Sequence, residues 1–277
     1  PFAQLEFALA KANSRTLEKQ INLSFSDARA PESEEPVQSQ THSNAVLDSL
    51  RLDKNWAPPA VDRMIKVFDH DQLLKVVENK DSATSDAGDR RRIETTLQKL
   101  IELEEVRPLV LPGPAYESEL EQLAHSFPAF ARVVSEVVAP SLAVLAAGGY
   151  VRPAPLLLVG APGIGKTFFL SALARAIGVP LVKQDMSSAT SGAGLSGLGI
   201  HWSNSSPGLV FRTLAFGKPG CPAVANPLFL LDEIDKCAGD RRFDPLGPLH
   251  ALLEEESAAH FEDESLPGIV FDTSEIR

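Results

Sequence analysis

Gly160-Ala161-Pro162-Gly163-Ile164-Gly165-Lys166-Thr167 satisfies the pattern G-x-x-x-x-G-K-[ST] and lies directly behind the apolar run Pro155-Leu156-Leu157-Leu158-Val159. Glycines in such a stretch let backbone N–H groups turn inward around phosphate oxygens. The lysine reaches the β- and γ-phosphates, and the terminal hydroxyl is placed to ligate Mg²⁺. The flanks supply the required order of strand, loop and helix. Leu156 to Val159 predicts a buried strand, and Phe168 to Ile177 predicts a helix with apolar positions at Phe169, Leu170, Leu173, Ala174 and Ile177. Gly178 is a fitting stop for that helix. The helix start adds N–H groups without internal partners to the anion site. The candidate nucleotide-binding residues are Gly160, Ala161, Pro162, Gly163, Ile164, Gly165, Lys166, Thr167 and Phe168.

A phosphate loop needs a carboxylate to hold its metal, and Pro227-Leu228-Phe229-Leu230-Leu231-Asp232-Glu233 offers one. This is an apolar run of the length of a parallel core strand, ending in two acids. Asp232, leaving the strand at its C-terminal end, is the candidate Mg²⁺ partner beside Thr167, and Glu233 is the candidate general base that polarises the attacking water. Alone, an Asp-Glu pair equally well starts the next helix.

Three segments carry a family resemblance: GAPGIGKT with its helix, the strand NPLFLLDEIDK over 226–236, and HALLEEESAAHFEDESLPGIVFDTSEIR over 250–277. Together they make the stretch from about Tyr116 onward similar to the AAA+ ATPase module of the Lon-type ATP-dependent proteases. The resemblance implies a P-loop three-layer α/β/α fold with a parallel sheet ordered 5-1-4-3-2. This chain supplies strands one, at 156–159, two, at 179–182, and three, at 228–231. It is expected to stop before strand four, and so to be a fragment that lacks the sensor residue, arginine finger and lid, and to hydrolyse ATP slowly if at all.

The resemblance also implies a role for Gly197-Leu198-Gly199-Ile200-His201-Trp202-Ser203-Asn204-Ser205-Ser206-Pro207-Gly208. In that family the corresponding loop projects into the channel of a ring and grips an unfolded polypeptide, with Trp202 here on the gripping aromatic position. Ser203 departs from the family pattern, in which an aliphatic residue follows. Packing of Trp202 against its own domain is the competing reading. Gly192-Ala193-Gly194-Leu195-Ser196-Gly197 matches G-x-G-x-x-G, but a Ser-rich stretch separates it from the preceding apolar run, so a dinucleotide site is rejected in favour of a flexible loop.

A chain of 277 residues with 44% hydrophobic content can bury a sizeable core, and its net charge of −11 offers no basic face for a nucleic-acid backbone. Arg90-Arg91-Arg92 reads as a solvated helix start. Cys221 and Cys237 are the only cysteines and form no metal-ligand spacing; His201, His250 and His260 form no zinc cluster. No run approaches 18 apolar residues and the start is not a signal sequence, so a cytoplasmic protein without a membrane partner is expected.

The N-terminal part divides into a helical segment at 1–30, a polar acidic linker at 31–45 that cannot offset its ordering entropy, and a helical region at 46–112. In the last, Val61, Met64, Ile65 and Phe68 begin one amphipathic segment and Ile93, Leu97, Leu100 and Ile101 make another, which points to a helical hairpin. The partial ATPase domain is expected over 113–277. Its opening helix, 120–147, should break or kink at Pro128 and Pro140 and end at Gly148-Gly149.

The combined reading is Mg²⁺-dependent ATP hydrolysis by a Lon-like AAA+ module, working as a ring expected to be hexameric and acting on polypeptide for proteolysis. Lys166 and the loop amides bind phosphate, Thr167 and Asp232 hold Mg²⁺, and Glu233 activates water. The alternatives are a non-proteolytic remodelling chaperone with the same chemistry, a nucleotide-responsive interaction module without turnover, or, with less support, a kinase.

Overall fold

The computed structural model describes residues 63–78, 87–148, 155–218, 221–237, 239 and 244–276. The helix expected at 1–30 and the linker at 31–45 lie outside them. Strand β1 (Met64–Lys66) is followed by helices α1 (His70–Glu78) and α2 (Ala87–Ile101), then β2 (Val106–Pro108). The two strands pair antiparallel, Met64 opposite Pro108 and Lys66 opposite Val106. The amphipathic segment expected to begin at Val61 as helix is thus a strand at Met64–Lys66. Asp69 stops it by accepting from the backbone N–H of Asp71 and Gln72, which starts α1 as an N-cap does.

This region and the rest of the described chain share one core. Phe68, Leu73, Leu97, Leu100 and Leu109 are buried with Phe211, Leu214, Leu266, Ile269 and Phe271. Arg107 on β2 is buried and donates from Nε to the carbonyl of Leu214 at 2.8 Å and from Nη2 to that of Ala215 at 2.9 Å. A guanidinium satisfies the terminal carbonyls of the distant helix there, which is why a charge is tolerated inside. Asn226 exchanges two hydrogen bonds with the backbone of Val110, at 2.9 and 2.8 Å. The expected division at 112/113 therefore does not separate two hydrophobic cores.

Helix α3 (Tyr116–Ser126) ends before Pro128, and a second helical run, Pro128–Ala146, follows as α4. Pro140 does not break α4. The Ala139 N–H reaches back five residues to the Val134 carbonyl, and the turn Val134–Val138 is a π-helix that takes up the lost hydrogen bond of the proline. At 19 residues α4 is long and apolar enough to cross a membrane by length and composition. Its Phe130, Val133, Val134, Leu142 and Leu145 are buried in the core with Leu120, Leu123, Phe169 and Leu173, as in a core helix of a globular domain.

Helix α5 (Lys166–Ala176) buries Phe169, Leu173 and Ala174 and ends at Gly178, whose N–H reaches the Arg175 carbonyl at φ +74°. Strand β3 (Leu181–Asp185) pairs in parallel with β4 (Leu228–Asp232), in register from Leu181 opposite Leu228 to Asp185 opposite Asp232. Between them come α6 (Ala193–Ser196) and α7 (Leu209–Phe216). After β4 follow α8 (Gly247–Leu253), α9 (Glu255–Ala258) and the antiparallel pair β5 (Phe261–Glu262) and β6 (Val270–Phe271).

The fold is an α/β P-loop architecture with a parallel pair at its centre. The strand expected at 156–159 is not formed among the described residues: these residues carry no ladder pairing there, and Leu156, Leu157 and Val159 are exposed by 40%, 40% and 67%. A strand is held by its neighbours' N–H and C=O groups. In the order implied for this fold the first strand lies between the fourth and fifth and touches neither β3 nor β4. The strand expected at 179–182 begins later and runs three residues further, to Asp185.

Candidate functional site

The loop 160–167 crosses from the extended run at 156–159 into α5. Gly163 and Gly165 sit at φ +83° and +88°, the left-handed region that side chains avoid, and Gly165 is the last residue before the helix. Buried Phe169 anchors that helix start: its ring stacks on Phe130 with centroids 4.4 Å apart, and Phe127 lies against both Phe168 and Phe169. The N-terminal end of α5 is therefore fixed by aromatic packing one turn away. Lys166 Nζ donates to the carbonyls of Gly160 at 2.8 Å and Ala161 at 3.1 Å, so the ammonium lies folded over the mouth of the loop.

The two motifs meet. Thr167 Oγ1 donates to Asp232 Oδ2 at 2.9 Å, across 65 residues of sequence. Asp232 is the last residue of β4, and Glu233 leaves the strand at φ +57°, an uncommon conformation for a residue with a side chain. That turn separates the two carboxylates: Asp232 is directed to Thr167 and Glu233 to Lys236, whose Nζ is 2.7 Å from Glu233 Oε1. The Glu233 hydrogen bond is also the main cause of the raised Lys236 pKa.

Residues outside the expected set complete the surroundings. Lys183 on β3 places Nζ 3.3 Å from Asp232 Oδ2. Asp185 is directly opposite Asp232 in the parallel register, and the backbone N–H and hydroxyl of Ser187 hold its carboxyl below the usual range. The expected strand stopped at Val182, where the polar residues begin, and so left both out. Their signal was the position itself: polar side chains at the C-terminal end of a parallel strand face the crevice where such folds bind ligands. A hydroxyl and a carboxylate oxygen converging behind a phosphate loop are hard donors of the type Mg²⁺ takes, so Thr167 and Asp232 fit the implied ion. Among the described residues no group of three or more His, Cys, Asp or Glu is arranged to hold a metal unaided.

Trp202 is not brought to this site. It lies 57% exposed on the loop 197–208, with a turn closed by its N–H to the Gly199 carbonyl at 3.0 Å. The exposure disfavours the reading in which Trp202 is core. The stretch 192–197, expected as a flexible loop, instead contains the short helix α6 with Leu195 and Ser196 buried.

Comparison with known proteins places this arrangement. The model of the ATPase family associated with various cellular activities (AAA) matches residues 156–263, which spans both motifs and the loop between them. The chain is 36% identical over 121 residues to the Lon protease of Neorickettsia sennetsu, covering 44% of this chain and 14% of that protein. It is 34% identical over 143 residues to the Lon protease of Brucella abortus and 36% identical over 143 residues to that of Haemophilus influenzae, in each case covering 52% of this chain and 17% of the relative. The aligned stretch is thus a small part of each relative's length. Residues 156–263 are an AAA module, and it resembles the ATPase module of the Lon proteases.

Proposed function

We propose that this module binds and hydrolyses ATP with Mg²⁺ and uses the cycle to move polypeptide, in the service of ATP-dependent proteolysis. The observation that carries the reading is the 2.9 Å hydrogen bond from Thr167 Oγ1 to Asp232 Oδ2, because it joins a phosphate loop to a strand-end carboxylate in the arrangement an Mg-nucleotide needs. Backbone N–H groups of 163–167 and the start of α5 bind phosphate oxygens. Lys166 exchanges its two loop carbonyls for the β- and γ-phosphates. Thr167 and Asp232 hold the ion, which neutralises charge developing on the phosphates when bound. Glu233 releases Lys236, orients a water for attack on the γ-phosphorus and accepts its proton. Lys183 and Lys236 are single positive charges that balance Asp232 and Glu233 until nucleotide arrives.

The working form is a ring, expected to be a hexamer, in which exposed Trp202 grips an unfolded polypeptide; the similarity to Lon proteases and the exposure of Trp202 support this. The free thiols of Cys221 and Cys237 suit a reducing cytoplasm. A remodelling chaperone with the same chemistry and no peptidase is the second reading. Nothing in the nucleotide site separates the two. The test is ATP turnover by the full-length protein, wild type beside Glu233→Gln, with and without an unfolded polypeptide such as casein. A loss of roughly 10²–10⁴-fold in the variant, with turnover of the wild type rising in casein, is the expected result. Equal turnover by the two proteins would remove Glu233 from the mechanism. Nucleotide binding without turnover would favour a switch, and release of peptides from casein decides protease against chaperone.

A further inference from the structure

The loop 197–208 carries an exposed tryptophan on a stem with an unusual amount of buried polar structure. Leu198 bridges Ser206, its N–H donating to the Ser206 carbonyl at 2.9 Å. Ser205, fully buried, donates its hydroxyl to the Leu198 carbonyl at 2.7 Å. Both feet of the stem then rest on one side chain from another part of the chain. Asp263, just after β5, is fully buried. Its Oδ2 accepts from the Gly208 N–H at 2.7 Å, and its Oδ1 accepts from the N–H and hydroxyl of Ser265 at 2.9 and 2.6 Å. At the other foot, a Cβ on Gly197 would stand 2.1 Å from Asp263 Oδ1, so that glycine admits the carboxylate. Gly208 is equally constrained, since a Cβ there would lie 2.2 Å from the Leu195 carbonyl oxygen. Next to Asp263, the Glu264 N–H donates to the Ser196 carbonyl and the Ser196 hydroxyl returns a bond to Glu264 Oε1, at 2.8 and 3.1 Å.

In each of these three bonds Asp263 is the acceptor, so its two oxygens are satisfied where they are buried. A buried carboxylate is costly unless its oxygens are satisfied, and removing one partner from such a network loses more than a surface bond does. One of the hydrogen bonds to Asp263 comes from the Gly208 foot of the Trp202 loop, and at the Gly197 foot the carboxylate is packed against the glycine.

We propose that Asp263 is the positioning residue of the Trp202 loop: it bonds the stem at Gly208, packs against Gly197 at the other foot, and thereby fixes where the exposed indole projects toward polypeptide. The second half of this statement rests on the polypeptide-gripping reading of Trp202. Asn in place of Asp263 has the same size but offers one acceptor oxygen, so its amide NH2 would set a second donor against either the Gly208 N–H or the Ser265 N–H.

The experiment uses the full-length protein and reads two quantities. The first is amide hydrogen exchange by mass spectrometry. Asp263→Asn is expected to speed exchange over 198–206 by roughly 10- to 100-fold, the loss of one charge-assisted bond, while exchange over α5 stays as in the parent. Equal acceleration in both segments would make Asp263 a general core residue and overturn the proposal. Should that variant fail to fold, Ser265→Ala removes one donor and leaves the carboxylate in place; an unchanged loop in that variant would likewise overturn it. The second is ATP turnover: basal rate within about two-fold of the parent, casein stimulation lost. Stimulation retained despite a loosened loop would overturn the positioning role. Trp202→Ala separates the two layers. If it leaves casein stimulation intact, the gripping reading fails while the exchange result still decides the clamp.

Discussion

Two glycine-rich loops in this chain face solvent, and they are held in different ways. The loop at 160–167 leans on itself: Lys166 bonds the loop's own carbonyls, the preceding run has no ladder partner among the described residues, and Phe169 on the helix behind it supplies a tertiary anchor. The Trp202 loop is bonded at its Gly208 foot, and packed at its Gly197 foot, by the buried carboxylate of Asp263, with a serine bond across its stem. A loop whose ligand supplies the missing contacts can afford a loose empty state. A loop that must present one side chain in a constant direction needs its rigidity in advance, so the difference in wiring matches the two tasks proposed above.

The comparison breaks most sharply at the anchor of the first loop. Phe169→Ala deletes a fully buried ring stacked on Phe130 and should cost about 3–5 kcal/mol of stability, read from urea unfolding. Far-UV signal should be retained at low urea while nucleotide binding weakens; an unchanged midpoint would show that α5 is not what positions the phosphate loop. The next largest effect is that of ligand. Mg-ATP at about a hundredfold over its Kd should stabilise the protein by about 2.7 kcal/mol. Its hydrogen-exchange protection should fall on 160–167 and the first turn of α5 and leave 198–206 as before. Equal protection of both loops would mean that the two are one cooperative unit.

Gly208→Ala probes the second loop and is expected to cost less, about 1–3 kcal/mol, the usual range for overpacking, because the new methyl meets the Leu195 carbonyl oxygen at 2.2 Å and a backbone must shift. Thermal unfolding measures it, and a neutral result would show the stem to be compliant. Nucleotide affinity should not change in this variant.

The two loops also differ in how far their sequence could be read. GAPGIGKT announces its own chemistry because every residue type in it answers a local requirement, and the helix behind it shows its buried positions in its spacing. Strand and carboxylates at 228–233 were legible for the same reason. Asp263 was not. A buried acid that serves a loop through long-range hydrogen bonds has no periodicity, and between Glu262 and Glu264 it looks like one more surface charge. The strand at Met64–Lys66 was misread as helix because three residues cannot show a period, and its pairing with Val106–Pro108 is set by register with a distant segment. The run at 156–159 fails in the opposite sense: its composition is that of a core strand, but a strand exists only where neighbours complete its hydrogen bonds. Arg107 belongs with Asp263, a charge in the core whose reason is visible only once the end of α7 is beside it.

The smallest effect sets two aspartates against each other. Asp185, beside the nucleotide site, has its carboxyl lowered by the Ser187 N–H and hydroxyl. Asp263, under the Trp202 loop, has its carboxyl raised because burial outweighs the bonds from Ser265 and Gly208. Their contributions to stability therefore run in opposite directions with pH. A lowered carboxyl binds its proton more weakly in the folded state, so Asp185 contributes stability above the unfolded value of 3.8, and that contribution is lost as pH falls through its folded pKa. A raised carboxyl binds its proton more tightly when folded, so the Asp263 contribution is fully present below 3.8 and is lost as pH rises through its folded pKa. The measurement is stability against pH for the parent, Asp185→Asn and Asp263→Asn. Relative to its Asn variant, the parent should gain stability with rising pH in the first pair and lose it in the second. Slopes of the same sign would mean that the donors on Asp263 outweigh its burial, and the Trp202 loop would then rest on a carboxylate stabilised in its charged form.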